Sequence, residues 1–217
     1  MQRLNNIIKI WKKLENVIYV KENGSVVKLL KIKYVISVEM EIERTKEAKR
    51  MVLTIDPSTT KIGYAIFYNR ALKDFGEFNP NRRDVISLFS SIKDFFIDYI
   101  NSWKVYLKTD ISVILVERAF ISAKRGMKKS AKLAVVNELF EDIANDLGTE
   151  CKFLANATVK KRVAGSSNAS KSDVAKVVVA VFSELKDTIK FNKKTNKYIH
   201  LDISDSVALF CAEYGEQ

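Results

Sequence analysis

A chain of 217 residues is long enough for one domain of ordinary size with a small appendage. Hydrophobic residues make up 47% and charged residues 29%, which excludes an intrinsically disordered chain. Lys and Arg number 37 against 26 Asp and Glu, a formal net charge of +11, so a polyanionic partner is expected, nucleic acid ahead of an anionic membrane surface. No apolar run approaches the roughly 18 residues of a spanning helix, and no signal-peptide pattern opens the chain. A cytoplasmic protein is expected, and the lysine-rich character with only 7 Gly and 2 Pro suggests a bacterial, phage or viral source. Cys151 and Cys211 lie among apolar neighbours and read as reduced thiols, with no zinc pattern around them.

Residues 1–50 read as a basic N-terminal extension. Leu4, Ile7, Ile8, Trp11 and Leu14 follow helical spacing, and strand-like runs at 17–20 and 25–32 are joined at Asn23-Gly24, a hairpin signal. A further strand-like run at 34–42 leads into the charged stretch 43–50. Two readings of the extension stay open: a small DNA-gripping appendage, or a stretch upstream of a core that starts at Met51.

From Met51 the expected elements follow in order. Residues 52–55 form a short buried strand that ends in the turn Asp56-Pro57-Ser58-Thr59-Thr60. Strands at 63–68 and 72–78 complete an antiparallel meander. Over 83–102, Val85, Leu88, Phe89, Ile92, Phe95, Phe96, Tyr99 and Ile100 recur at helical spacing. Residues 111–116 are apolar and β-branched, as in a central strand covered on both faces, and end at Glu117. A basic loop leads to a helix at 132–147 and a strand at 152–154. After a polar turn, Ser170-Lys171-Ser172-Asp173 is a capping box that opens a helix at 171–185. A lysine-rich loop at 186–197 precedes a final helix from about 203 to 214. Three strands followed by alternating helix and strand imply an α/β domain over 51–217, with a sheet of mixed strand direction.

Hydrolysis of a DNA phosphodiester needs an activated water and neutralisation of charge on phosphorus and the leaving oxygen, which two Mg²⁺ ions about 3.5–4 Å apart supply. Mg²⁺ takes hard oxygen ligands, typically a few carboxylates, with water and phosphate filling the remaining positions. Carboxylates delivered to one spot by rigid elements are therefore the signature to seek. Asp56 ends the first strand and Glu117 the fourth, while Asp202 and Asp205 share one face at the start of the last helix. If the first and fourth strands are parallel neighbours, Asp56 and Glu117 stand side by side at the C-terminal edge, where ligand sites of open α/β sheets collect. Each acid also has a plainer reading. Asp56 before Pro57 fits a turn residue, Glu117 a paired buried acid, and Asp202 and Asp205 a cap and a dipole partner.

Several segments resemble the RuvC family of Holliday-junction resolvases. Leu53-Thr54-Ile55-Asp56-Pro57-Ser58-Thr59-Thr60-Lys61-Ile62-Gly63-Tyr64 is similar to its first-strand motif, and Val116-Glu117-Arg118-Ala119-Phe120 to its second acidic motif. Ala164-Gly165-Ser166-Ser167-Asn168-Ala169-Ser170-Lys171 is similar to its glycine-containing basic segment, and Asp202-Ile203-Ser204-Asp205-Ser206-Val207-Ala208-Leu209 to its closing Asp-x-x-Asp pattern. The resemblance spans Met51 to Tyr214 and implies an RNase H-like mixed five-stranded sheet flanked by helices. It further implies a Mg²⁺-dependent homodimer, with two ions or Mn²⁺ in their place, that cuts four-way DNA junctions. Asp56, Glu117, Asp202 and Asp205 would be the catalytic metal ligands, and Phe120 the aromatic set against an unstacked base. The chain departs from the family where Ser58 replaces a glycine and Ser206 an alanine; some relatives carry His at the position of Asp202.

Lys124, Arg125 and Lys128 follow Glu117, while Lys160, Lys161 and Arg162 precede Gly165 and Lys171 follows it. These cations are expected to offset the acidic cluster and bind phosphate, with strongly salt-dependent affinity; a solvated lysine face is the plainer reading. His200, the sole histidine, is given no role beyond that of a neighbour of the site. Three other functions compete with junction resolution. One is an RNase H-type nuclease acting on flaps, branched replication DNA or RNA–DNA hybrids, and another a non-catalytic junction binder. The third is an actin-like kinase, disfavoured by a short chain with only 7 Gly. The helix at 132–147 is the guessed dimer surface.

Overall fold

The computed structural model describes residues 50–80, 84–118, 127–192 and 197–215, save for the side chains of 127–130 and 197. The helix, hairpin and strand expected within 1–49 lie outside the described residues. The first three strands are β1 (Met51–Asp56), β2 (Ile62–Tyr68) and β3 (Ala71–Phe78). Helix α1 (Val85–Leu107) follows, then β4 (Ile111–Arg118), α2 (Met127–Asp146) and β5 (Glu150–Ala155). Three further helices complete the domain: α3 (Asn156–Ala164), α4 (Lys171–Val181) and α5 (Leu201–Tyr214). A short 3-10 helix (Ser183–Asp187) and the strands β6 (Phe191–Asn192) and β7 (Lys197–Tyr198) lie between α4 and α5.

The main sheet runs β3-β2-β1-β4-β5, with β3, β2 and β1 antiparallel and β1, β4 and β5 parallel. This is the mixed five-stranded sheet expected. Alternation along each strand sends neighbouring side chains to opposite faces. Met51, Leu53 and Ile55 of β1 join Ile114 and Val116 of β4 under α1 and α2. Val52 of β1, Ala65 and Phe67 of β2 and Val113 and Leu115 of β4 face the other way, toward α3, α4 and α5. On α1, Leu88, Ile92, Phe96 and Ile100 form one fully buried stripe four residues apart. Phe67 stacks on Phe210 of α5 with ring centroids 3.8 Å apart. Burying a side chain of this size stabilises the fold by about 1.5–3 kcal/mol.

Several expected boundaries shift. Helix α1 continues to Leu107, where Lys108 takes a left-handed cap conformation, and α4 stops at Val181, not at residue 185. The capping box at Ser170 forms as expected, with Ser170 and Asp173 bonded reciprocally. Residues 156–164, expected as part of a polar turn, are helical. The stretch 186–197, expected as a loop, holds part of the 3-10 turn and a two-stranded hairpin pinned by Phe191 against Tyr198, centroids 5.3 Å apart. Among the described residues no helix is long and apolar enough to cross a membrane. Cys151 and Cys211 are free, and burial pushes their thiols up, to about 12 and about 11.

Candidate metal centre

Strand periodicity aims the acids. Asp56 follows Val52 and Thr54 on the face toward α5, and Glu117 follows Val113 and Leu115 on that same face. Ile55 pairs with Val116 across parallel strands, so Asp56 and Glu117 reach the C-terminal edge at one level. The first turn of α5 is laid over this edge. Gly63, the register partner of Asp56 on β2, lets it approach: a β-carbon there would meet the Asp202 carbonyl oxygen at 2.0 Å and its carbon at 2.3 Å. Asp202 and Asp205, one helical turn apart, then face Asp56. One carboxylate oxygen from each of Asp56, Asp202 and Asp205 lies within 4.8 Å of the others.

Octahedral Mg²⁺ with oxygens at about 2.0–2.1 Å spaces adjacent ligand atoms about 3 Å apart and opposite ones about 4 Å apart. Three carboxylate oxygens gathered within 4.8 Å approach that spacing, and an all-oxygen donor set suits a hard divalent cation. Glu117 stands beside the group with one oxygen engaged, since Asn156 Nδ2 donates to Glu117 Oε1 at 2.9 Å. Asn137 Nδ2 donates to the Glu117 carbonyl, also at 2.9 Å, and so anchors its backbone.

Electrostatics mark the cluster as charge-crowded. Asp56 is held well above the ordinary carboxylate range by burial, then by the negative charges of Glu117 and Asp205, with Lys171 opposing. Glu117 is raised by burial and by Asp205, against the stabilising Asn156 hydrogen bond. Asp205, only 7% exposed, is raised by burial despite an ion pair in which Lys171 Nζ donates to its Oδ2. Burial pulls the Lys171 ammonium down, but attraction to Asp205, Asp56 and Asp202 outweighs it and holds the group above its ordinary value.

The plainer readings of the acids fare differently. The turn after β1 is organised by Ser58, whose Oγ accepts from Thr60 N at 3.2 Å. The N-cap of α5 is His200, so Asp202 lies inside the helix. Ser206, where the resemblance would place alanine, is buried with its hydroxyl donating to the Ile203 carbonyl at 2.8 Å.

The expected basic residues separate. Lys171 sits on the cluster, and Lys160 is close enough for its charge to oppose the rise at Glu117 and Asp205. Lys161 is exposed on α3. Arg162 turns toward the far end of α5, where its Nη1 donates to the Ala212 carbonyl at 3.0 Å and lies 3.6 Å from Glu213. Phe120, Lys124 and Arg125, and the side chain of Lys128, lie outside the described residues. Sequence reasoning passed over Asn156, Glu77 and Lys61. Glu77 Oε2 lies 3.1 Å from Lys61 Nζ and 3.1 Å from His200 Nδ1.

No family model and no curated protein sequence matches this chain. Solved structures do. RuvC of T. thermophilus in complex with a Holliday junction substrate superposes with a TM-score of 0.57 at 15% identity, covering 75% of this chain and 91% of that one. A second Thermus thermophilus RuvC structure gives 0.53 at 17% identity, covering 75% and 92%. The yeast mitochondrial Holliday junction resolvase Ydc2 gives 0.52 at 15% identity, covering 76% and 77%. The described domain thus has the RuvC-like fold, an RNase H-like mixed five-stranded sheet flanked by helices.

Proposed function

We propose that the chain is a Mg²⁺-dependent endonuclease that resolves four-way DNA junctions by paired phosphodiester hydrolysis, acting as a homodimer. The convergence of Asp56, Asp202 and Asp205 within 4.8 Å of one another, at the edge where Glu117 also ends its strand, carries this reading. The fold it occupies is shared with a RuvC solved on a Holliday junction substrate, which favours branched DNA over other nucleic acids.

The three aspartates would hold a divalent ion, with Glu117 completing the acidic wall. When bound, the metal supplies Lewis-acid neutralisation at the phosphate and activation of water. Asn156 occupies one Glu117 oxygen and so fixes which oxygen is turned toward the phosphate. Lys171 and Lys160 provide positive charge where a phosphate must approach carboxylates, and Lys161 extends that charge along α3. Outside the described residues, Phe120 is assigned to an unstacked base near the crossover, and Lys124, Arg125 and Lys128 to phosphates. A two-fold dimer presents two such sites to symmetry-related strands in one encounter.

The test offers a mobile four-way junction, a flap and an RNA–DNA hybrid to the full chain with Mg²⁺ or Mn²⁺. Paired nicks in the junction are expected. Asp56→Asn and Glu117→Gln should bind the junction yet cut it more than about a hundredfold more slowly, the upper range for loss of a group one step out from a metal. A junction left whole while another substrate is cut overturns the substrate assignment. Binding by the wild type without any cutting overturns the nuclease reading.

A further inference from the structure

Glu77, on β3, belongs to no acidic motif of the sequence, yet it lies in the transverse row that holds Asp56. It pairs with Gly63, and Gly63 pairs with Asp56, so the row reads acid, glycine, acid across three antiparallel strands. The middle position lacks a side chain, and the first turn of α5 settles into that gap with the Asp202 carbonyl over Gly63. Glu77 therefore flanks the helix start opposite Asp56.

What Glu77 holds there is His200. Its Oε2 is 3.1 Å from His200 Nδ1 and 3.1 Å from Lys61 Nζ, and its side chain is only 15% exposed. His200 occupies the N-cap of α5 but makes no capping hydrogen bond with its side chain. Its backbone is left-handed at φ 54°, an uncommon conformation for a residue with a β-carbon and not the extended one usual at an N-cap. Serine, threonine, aspartate or asparagine would be the ordinary cap. A histidine that forgoes capping, accepts a disfavoured backbone and ties its ring to a neighbouring strand acts as a latch. The latch sits two residues before Asp202 and five before Asp205, so it sets the rotation and height at which both aspartates leave the helix.

We propose that Glu77 is a positioning residue for the metal centre, which seats the N-terminus of α5 through His200 so that Asp202 and Asp205 meet Asp56. This rests on the metal-centre reading above. Without Glu77, His200 is free to return to ordinary backbone angles, and the first turn of α5 then rotates Asp202 away from Asp56. Groups that orient ligands in this way change metal affinity or activity by about 10–100-fold when removed.

The experiment measures Mn²⁺ binding by electron paramagnetic resonance on the metal-free full chain without DNA, alongside melting temperature and the kcat and KM for junction cleavage. Glu77→Ala should weaken Mn²⁺ binding by about tenfold or more and lower kcat at little-changed KM, with a far smaller change in metal-free melting. Glu77→Gln keeps an oxygen that accepts from His200 Nδ1 and should restore binding to near the wild type. His200→Gly, which accepts a positive φ freely, should copy the Glu77→Ala loss although its backbone is relieved. Wild-type Mn²⁺ affinity in Glu77→Ala, or a Glu77→Gln loss as large as that of Glu77→Ala, overturns the proposal. Absence of Mn²⁺ binding by the wild type overturns instead the metal-centre reading beneath it.

Discussion

A β-carbon on Gly63 would stand 2.0 Å from the carbonyl oxygen of Asp202, so helix α5 and strand β2 touch backbone to backbone beside the acidic cluster. No rotamer change relieves such a clash, because the backbone fixes where a β-carbon stands and the atoms it would meet are main chain. Gly63→Ala is expected to destabilise the chain by about 1–3 kcal/mol, the usual range for overpacking. It should also displace Asp202 and Asp205 from Asp56, so Mg²⁺ should stabilise the variant less than the wild type. Urea unfolding with and without Mg²⁺ checks both effects; wild-type values in both would mean that the backbone yields without consequence.

The raised carboxylates set the sign of a pH effect. Asp56, Glu117 and Asp205 hold protons more tightly in the folded chain than an exposed carboxylate does, through burial and one another's charge. Between the unfolded and folded values the native state binds more protons, so metal-free stability falls as pH rises. The contribution is complete below the ordinary carboxylate range and is lost as pH climbs through the raised values. Lys171, itself raised, stays charged throughout that window. Mg²⁺ needs the deprotonated acids, so its stabilisation should grow over the same range. Melting curves from about pH 5 to pH 8 should show metal-free stability declining and the Mg²⁺ increment increasing, with both trends blunted in Asp56→Asn. A flat or opposite metal-free trend would contradict the charge-crowded picture.

Lys160 lies close enough to Glu117 and Asp205 for its charge to act on them and Lys161 is exposed beside it on α3, whereas Arg162 is committed to the Ala212 carbonyl and Glu213. Lys160→Glu with Lys161→Glu should weaken junction binding and flatten the dependence of log affinity on log salt by about 0.9 for each phosphate no longer neutralised. Arg162→Ala should leave that slope unchanged and lower the melting temperature instead. Salt titrations of binding by fluorescence anisotropy separate the two, and an unchanged slope in the double variant would remove Lys160 and Lys161 from the interface.

Much of this was legible in the sequence because it is written in local pattern. The apolar β-branched run before Glu117 marks a strand covered on both faces, and the apolar run before Asp56 marks another; that the two pair in parallel and bring the acids to one edge is a property of the folded sheet. Helix α3 escaped notice because residues 156–164 show few apolar positions and Ala155 provides no side-chain cap. The pairing of Phe191 with Tyr198 was hidden because two-residue strands are too short to show alternation. Arg162 was grouped with Lys160 by adjacency, yet two residues along a helix turn a side chain by about 200°. Asn156 and Glu77 carry no motif at all. Their roles arise from pairings 39 and 123 residues distant in sequence, Asn156 with Glu117 and Glu77 with His200, which only the folded sheet reveals.

The row of Asp56, Gly63 and Glu77 also makes strand alignment and site assembly one event. Slipping β2 by a single residue would put Ile62 or Tyr64 beneath the start of α5, and their bulk would bar the helix from docking. A sheet so misaligned would hold the start of α5, and with it Asp202 and Asp205, away from Asp56. Chains able to hold a metal would then be those whose first three strands have already found their alignment.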